Sequence, residues 1–420
     1  VDRGDSPKNK SKMTGRWYFT GRRPIKAKEK MKRIGNLYER ICSIENLKLA
    51  DQKARKGKAG QYGVRTHDMR KEANIQALHE MLVNKTYTTS QYSTFRIYDP
   101  KEREIFKLPY YPDRITHHAI MNVMEPIFIS TFTADTYSCI RKRGIHAAER
   151  SLKKALTDVE GTRYCLKLDI RKFYPSIDHQ VLKSLIRKKI KDADLLWLMD
   201  NIIDSTSGVP IGNYLSQYFA NFYLAYFDHW IKEEKGVRYY FRYADDLVIL
   251  SGNKPELHAL LSEIRTYLSD NLKLQIKGNY QIFPVESRSI DFVGYRFYHT
   301  HTLLRKSIKQ RFARKVHKGA GHQTLAAYYG WAKHCDSKNL LKKLSIMSQT
   351  KFSTLGIKPQ NKAFEGEKMK IERAINKTIT VHEYRIVPSK FPEKGNGKRL
   401  DMQIAIDGVK RVVWTGSNTL

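Results

Sequence analysis

Two adjacent aspartates, Asp245 and Asp246, stand between two apolar runs in FRYADDLVIL, Phe241–Leu250. Strand-forming residues on both sides of an acidic pair read as a hairpin whose tip carries the carboxylates while both strands stay buried. Alone, an Asp-Asp pair is most often a polar turn. A third acid upstream changes its meaning. In TRYCLKLDIRKFYPSID, Tyr164, Leu166 and Leu168 alternate with Arg163, Cys165, Lys167 and Asp169. This is the period of a half-buried strand with Asp169 at its end. Carboxylates suit Mg²⁺, a hard ion that prefers oxygen ligands. One acid at a strand end and two at a hairpin tip are the set that two-metal phosphoryl transfer needs, with ions roughly 3.5–4 Å apart.

Charge narrows the substrate. Seventy-seven Lys and Arg stand against 42 Asp and Glu, a net charge of +35 over 420 residues. That excess calls for a polyanionic partner, nucleic acid in preference to an acidic membrane surface. No apolar run is long enough to span a bilayer, since the best, Tyr218–Ile231, is broken by Asn221 and Asp228. The lysine-rich N-terminus has no apolar run behind it, so no secretory signal is read. Cys42, Cys139, Cys165 and Cys335 are scattered without a C-x-x-C pair, which favours reduced thiols and a cytoplasmic location over zinc or disulfides. His117 and His118 are neighbours that a helix would point to different faces, so packing is the preferred reading over a ligand pair.

Four blocks in order, DIRKFYPSID, GVPIGNYLSQ, YADD and FVGYRF, resemble the palm of reverse transcriptases, and the resemblance spans roughly residues 35 to 350. It implies an α+β, right-hand polymerase. The segments would be a basic N-terminal arm (1–30), fingers (31–160), a palm with an antiparallel sheet (161–300), a helical thumb (301–350) and a C-terminal extension with a β hairpin (351–420). It also implies two Mg²⁺ ions on Asp169, Asp245 and Asp246, with the Ile170 carbonyl as a further ligand. Tyr174, five residues after Asp169, would lie under the sugar of the incoming deoxynucleoside triphosphate and leave no room for a 2′-hydroxyl. Lys277 would protonate the leaving pyrophosphate. Phe292, Gly294 and Tyr295 would form the primer grip. A fingers hairpin, Phe95–Arg114, would close over the triphosphate through Arg96, Arg103 and Lys101; a solvated, lysine-guarded edge is the other reading.

The stretch Ile211–Gln217, IGNYLSQ, departs from the commoner pattern with Gln at the position of Ile211 and Pro at that of Gln217. The variant resembles reverse transcriptases of diversity-generating retroelements, as does LAAYYGWAKHCDSKNLLKK, Leu325–Lys343. In that branch Ile211, Gly212 and Gln217 would pack beneath the nascent pair. Replacing a hydrogen-bonding Gln by Ile would loosen discrimination, because fidelity is differential transition-state binding. Errors at template adenines follow from the branch and from no residue here. Expected partners are a template RNA, its RNA–DNA hybrid and a small basic oligomeric accessory protein. The alternatives are the reverse transcriptase of a retron, group II intron or phage-defence system, or a non-catalytic RNA-binding scaffold. IGNYLSQ and the lack of an evident maturase or endonuclease segment weigh against the first, and the intact aspartate set against the second.

The remaining segments are plainer. Residues 1–30, with Trp17 and Tyr18, read as a solvated arm or one that tracks RNA. Helices are expected over Met31–Ala54, Met69–Val83, Ile115–Ile129 and Pro255–Asn271, with a basic glycine-rich loop at Lys53–Arg65. Arg141, Lys142 and Arg143 are candidate template contacts. Cations over Leu303–Gln323 suit a helix that follows a duplex by its phosphates. Alternation on both sides of Asp407-Gly408 signals a hairpin, with Trp414 either stacking on a base or completing a small core.

Overall fold

The computed structural model describes residues 33–98, 102–344, 367–369, 374, 378–388 and 398–415. The N-terminal arm (1–30), Lys101 and the side chain of Trp414 lie outside these. The chain divides into two compact units, with the boundary between Arg305 and Lys306.

In the first unit, β1 (Ser93–Ile97) and β2 (Arg103–Lys107) form a separate antiparallel hairpin. Five further strands follow: β3 (Thr136–Tyr137), β4 (Tyr164–Asp169), β5 (Tyr239–Tyr243), β6 (Asp246–Ser251) and β7 (Gln281–Pro284). They build one sheet in the order β3-β5-β6-β4-β7. Every pair is antiparallel except β3 with β5. The described residues are thus α+β with antiparallel sheets, as the sequence implies. β4 lies between β6 and β7, and Cys165, expected on an open face, is fully buried together with Leu166, so both faces of this strand are covered there. A smaller sheet of β8 (Ile290–Phe292), β9 (Tyr295–Phe297) and β10 (Thr302–Leu304) follows.

The core is built around the helix Ile115–Thr131, whose Ile115, Ala119, Ile120, Met124 and Phe128 are all buried. It packs on the helices Ile44–Ala54 and Tyr214–Tyr223. Near-continuous apolar character gives this helix two buried faces, whereas its neighbours are amphipathic. Pro126 lies inside it.

Several boundaries differ from expectation for local reasons. Met31–Ala54 is two helices, Tyr38–Cys42 and Ile44–Ala54. Ser43 is extended between them, and its hydroxyl accepts from the Asn46 amide as an N-cap. The glycine-rich loop ends early, because Tyr62–Asp68 is helical and the following helix begins at Lys71. The helix expected at Pro255 runs from Lys254 to Leu272, closed by Lys273 in the left-handed region. No helix among the described residues is long and apolar enough to cross a membrane.

The second unit holds the helices Lys306–His317, His322–Ala332 and Lys338–Lys343. Phe312 stacks on Tyr328 with ring centroids 5.3 Å apart. The unit also holds a sheet ordered β11-β14-β13-β12 (Glu367–Lys368, Thr380–Pro388, Lys398–Ile406 and Val409–Thr415 for β11 to β14). Asp407 and Gly408 both have positive φ and join β13 to β14, the tight hairpin that an Asp-Gly pair favours. Ile404, Ile406 and Val413 form a small core beneath it.

One buried ion pair sets the position of the Asp-Asp turn. Arg242, on β5, and Asp228 have no exposed side-chain surface. The guanidinium donates to both carboxylate oxygens, at 2.7 and 2.6 Å. Tyr240 and Thr136 donate to the same carboxylate. The remaining guanidinium nitrogen reaches the Ala244 carbonyl at 2.9 Å and the Asn221 side chain at 3.2 Å. Asp228→Ala would leave the arginine charge buried without its anion, and is expected to cost about 3–5 kcal/mol. Urea unfolding checks this; a midpoint equal to wild type would show that the pair does not anchor the turn.

Candidate active site

β4 and β6 pair so that Asp169 lies directly opposite Asp246. Asp245 occupies the turn between β5 and β6, preceded by Ala244 at φ 55°. The Ile170 amide donates to the Asp245 carbonyl at 3.3 Å, which ties the turn to the end of β4. The three acids, 76 and 77 positions apart in the chain, therefore meet at one end of the sheet.

Their electrostatics follow from crowding. Burial, and then the neighbouring Asp169 charge, raise the Asp245 carboxyl to about 6. Burial raises Asp246 to about 6 as well, with Lys167 opposing the shift. Two lysines sit against the cluster. Lys277 Nζ is 2.7 Å from Asp169 Oδ1, and its amide donates to the Asp169 carbonyl at 2.9 Å. Lys167 Nζ is 3.3 Å from Asp246 Oδ1 and also donates to the Asp291 carbonyl on β8. Even so, Oδ1 of Asp169 and Oδ1 of Asp246 are buried and accept no well-aligned hydrogen bond among the described residues. No three His, Cys, Asp or Glu side chains among those residues are already grouped to hold an ion. The acids are turned toward lysines instead. Crowded, buried carboxylates fit a hard divalent cation, which would relieve their repulsion.

Beside the acids, Tyr174 begins a short 3₁₀ turn, Tyr174–Ser176, and is half-buried. Burial, with Cys139 and Asp245 nearby, pushes its hydroxyl well above the ordinary tyrosine range. Its carbonyl accepts from the Val209 amide at 2.9 Å. Gly208, at φ 63°, lies so close that a Cβ would come within 2.6 Å of the Pro175 carbonyl oxygen. The same segment then reaches β2, where the Ile211 carbonyl accepts from the Phe106 amide at 2.8 Å. Gly212, at φ 125°, leaves room that a Cβ would close to 2.4 Å from the Phe106 carbonyl oxygen. A glycine is needed there both for the backbone angle and for the approach.

The other expected residues divide. The charge of Arg103 is felt at the Tyr174 hydroxyl, so it belongs with this group. Arg96 is spent on an exposed ion pair with Glu102 at 3.0 Å. Gln217 is exposed on the helix Tyr214–Tyr223. Phe292 and Tyr295 have no exposed surface, and Gly294 is buried at φ 88°. The Phe292 and Tyr295 side chains thus build the β8–β9 hairpin from within, around the turn at Gly294, and Arg296 is an exposed side chain of that hairpin. Arg143 donates to the Thr133 carbonyl and so is partly used internally. Sequence reasoning missed Lys167 and the Arg242–Asp228 pair. Lys167 had a signal, since two residues before Asp169 on a strand is the same face. Arg242 had only the oddity of a cation between Phe241 and Tyr243.

Residues 100–297 match the family described as reverse transcriptase (RNA-dependent DNA polymerase). The chain carries a reverse transcriptase domain. Residues 365–420 match a domain of unknown function. The chain is similar to Protein YkfC of Escherichia coli, 27% identical over 249 residues that cover 48% of this chain and 65% of that protein. It is also similar to the group II intron-encoded protein LtrA of Lactococcus lactis, 21% identical over 305 residues that cover 55% and 50%. The matches thus span about half to two thirds of these relatives. Among solved structures, the telomerase of Candida tropicalis in complex with a fragment of telomeric RNA superposes with a TM-score of 0.41 at 12% identity, covering 68% of this chain and 58% of that one. The reverse transcriptase domain accounts for the α+β fold as one of the right-hand polymerase class, and it contains all three aspartates, Tyr174 and the Gly208–Gly212 segment.

Gly212→Ala should push β2 off this segment. Strain at a positive φ is of the order of 1–3 kcal/mol, so a lower urea midpoint is expected, together with faster hydrogen exchange at the Phe106 amide. Unchanged exchange there would show that the contact does not hold the hairpin.

Proposed function

We propose that this chain is an RNA-directed DNA polymerase, with residues 31–160 as fingers, 161–300 as palm and the helices after Lys306 as thumb. The observation that carries the reading is the meeting of Asp169, Asp245 and Asp246 at one end of the β4–β6 ladder inside a reverse transcriptase domain. Asp169, Asp245, Asp246 and the Ile170 carbonyl would hold two Mg²⁺ ions. When bound, such ions lower the pKa of a primer 3′-hydroxyl and neutralise the charge on leaving pyrophosphate.

The chain's own residues do the rest. Arg242 holds the turn that aims Asp245 by binding the Ala244 carbonyl. Lys277 balances Asp169 in the resting site, and its Nζ would be the donor of a proton to the pyrophosphate oxygen, a role worth roughly 10²–10⁴-fold. Tyr174 forms the floor beneath the deoxyribose. Arg103 and Lys101 would meet the triphosphate. The partners are a template RNA, its hybrid with the new DNA, and deoxynucleoside triphosphates; the charge of +35 supports a polyanionic ligand.

Within that activity, IGNYLSQ supports an error-prone enzyme of a diversity-generating retroelement, with a small basic oligomeric accessory protein. The Ile211 carbonyl is occupied by Phe106, so the variable element at this position is its side chain, which is aliphatic here. The similarity to an intron-encoded protein favours a second reading, a group II intron-type enzyme. Sequencing the RNA that copurifies with the protein separates the two: a template–variable repeat pair supports the first, an intron the second.

Asp169→Asn and Asp245→Asn should each reduce Mg²⁺-dependent primer extension on RNA to the detection limit while leaving RNA affinity within about twofold. Extension at the wild-type rate by either would remove these residues from catalysis. Ile211→Gln should lower the substitution frequency in sequenced cDNA by about tenfold, equivalent to about 1.4 kcal/mol of added discrimination. An unchanged error spectrum would clear Ile211 of that role.

A further inference from the structure

β4 belongs to the main sheet of the first unit, whereas β8, β9 and β10 form a second one. Side chains join that second sheet to β4 at both of its ends. Just before β4, the Thr162 hydroxyl lies 3.1 Å from His299 Nε2. Near the other end, Lys167 donates to the Asp291 carbonyl on β8. Attachment at two ends fixes a direction as well as a distance. Lys167 makes a second contact at the same time, because its Nζ stands 3.3 Å from Asp246 Oδ1 and 3.4 Å from Oδ2. An ammonium has three hydrogens to give, so one group reaches the carboxylate and the carbonyl together. A lysine placed only to balance the acids has no need of a carbonyl in another sheet.

Asp291 is held from its other side by Arg305. Arg305 Nε donates to Asp291 Oδ1 at 2.6 Å, and the Arg305 amide donates to the Gly294 carbonyl at 3.0 Å. Gly294 lies in the turn between β8 and β9, and Arg305 follows β10 directly and precedes the helix Lys306–His317. An unbroken polar path therefore runs from Asp246 through Lys167 and Asp291 to Arg305. The side chains of Arg305 and Asp291 keep 38% and 46% of their surface exposed. An ion pair that open to water adds little to stability. What it supplies is placement.

We propose that Lys167 and Arg305 are positioning residues for nucleotide addition: by gripping Asp291 from two sides they hold the β8–β10 sheet at a fixed distance from Asp246. The inference rests on the polymerase reading given above, in which the β8–β9 hairpin bears on the primer end and the acids bear on the reacting phosphate. The two are carried by different sheets, so their separation depends on whatever spans them. A misplacement of about 1 Å between reacting groups costs on the order of a hundredfold in rate. Loss of the grip therefore slows bond formation while leaving capture of the triphosphate intact, since neither Lys167 nor Arg305 is placed on the triphosphate.

The test is single-nucleotide addition by the full chain on primed RNA with Mg²⁺. Lys167→Met, Arg305→Met and Asp291→Ala should each lower kcat about tenfold with the KM for the deoxynucleotide within about twofold. Lys167→Arg, which can keep both contacts, should stay within about threefold of wild type. Arg305→Met and Asp291→Ala decide the matter, because neither removes a contact to the three acids, and Asp291→Ala takes no cation from the nucleic acid. The Lys167→Met/Arg305→Met double variant should again lose about tenfold and not about a hundredfold, since both changes cut one path. Hydrogen exchange without metal or nucleic acid gives a readout independent of turnover: amides over 290–305 should exchange about fivefold faster in Lys167→Met and in Arg305→Met. Wild-type kcat in both Arg305→Met and Asp291→Ala, a hundredfold loss in the double variant, or unchanged exchange over 290–305 in both single variants overturns the proposal while the polymerase reading stands. Failure of the wild type to extend any primed RNA overturns the polymerase reading itself, and exchange then still decides whether Lys167 holds the second sheet.

Discussion

The site depends on a guanidinium in the protein interior. Arg242 is completely buried, and a buried charge is tolerated only when it is paired and its hydrogen bonds are made. Asp228 supplies the charge, while Tyr240 and Thr136 occupy the remaining capacity of that carboxylate. What remains of the arginine is directed at the Ala244 carbonyl. A left-handed alanine in a turn just before two acids is an unfavourable conformation, and the arginine gives its carbonyl a partner. The pair therefore acts as a clamp on the turn, and the Asp245 side chain inherits its position.

That clamp holds together groups that repel. Asp169 and Asp245 are close enough for one charge to hinder ionisation of the other, and burial adds to the effect. Lys277 and Lys167 offset the repulsion from two sides. A divalent cation would relieve a site in this condition for the same reason that the site resists full ionisation. Lys167 also reaches the Asp291 carbonyl on β8, so the acidic cluster and the β8–β9 hairpin share a contact through one side chain.

A second dependency runs through two glycines. Gly208 and Gly212 let one short segment touch Tyr174–Pro175 at one end and Phe106 at the other. The β1–β2 hairpin is thereby fastened to the Tyr174 turn by backbone, and the identity of the Ile211 side chain is released from that structural duty. Ile211 is thus a position where the side chain can change while the main-chain bond to Phe106 is kept.

Much of this was legible in the chain. Period-two alternation located β4 and a continuous apolar run located β6, and the acids at their ends followed, because a strand's pattern fixes which residues reach its terminus. Asp407-Gly408 announced its hairpin, since few dipeptides accept two positive φ values. The breaks in the first helices were harder, because one Ser cap outweighed a continuous apolar period. The burial of Phe292 and Tyr295, the pairing of Arg96 with Glu102, and the lysines beside Asp169 and Asp246 were decided only by tertiary structure. Sequence periodicity reports which face of an element is apolar, but not which distant element covers that face. The pairing of β4 with β6, 77 residues apart at Asp169 and Asp246, therefore had to be formed before the acids could become a site.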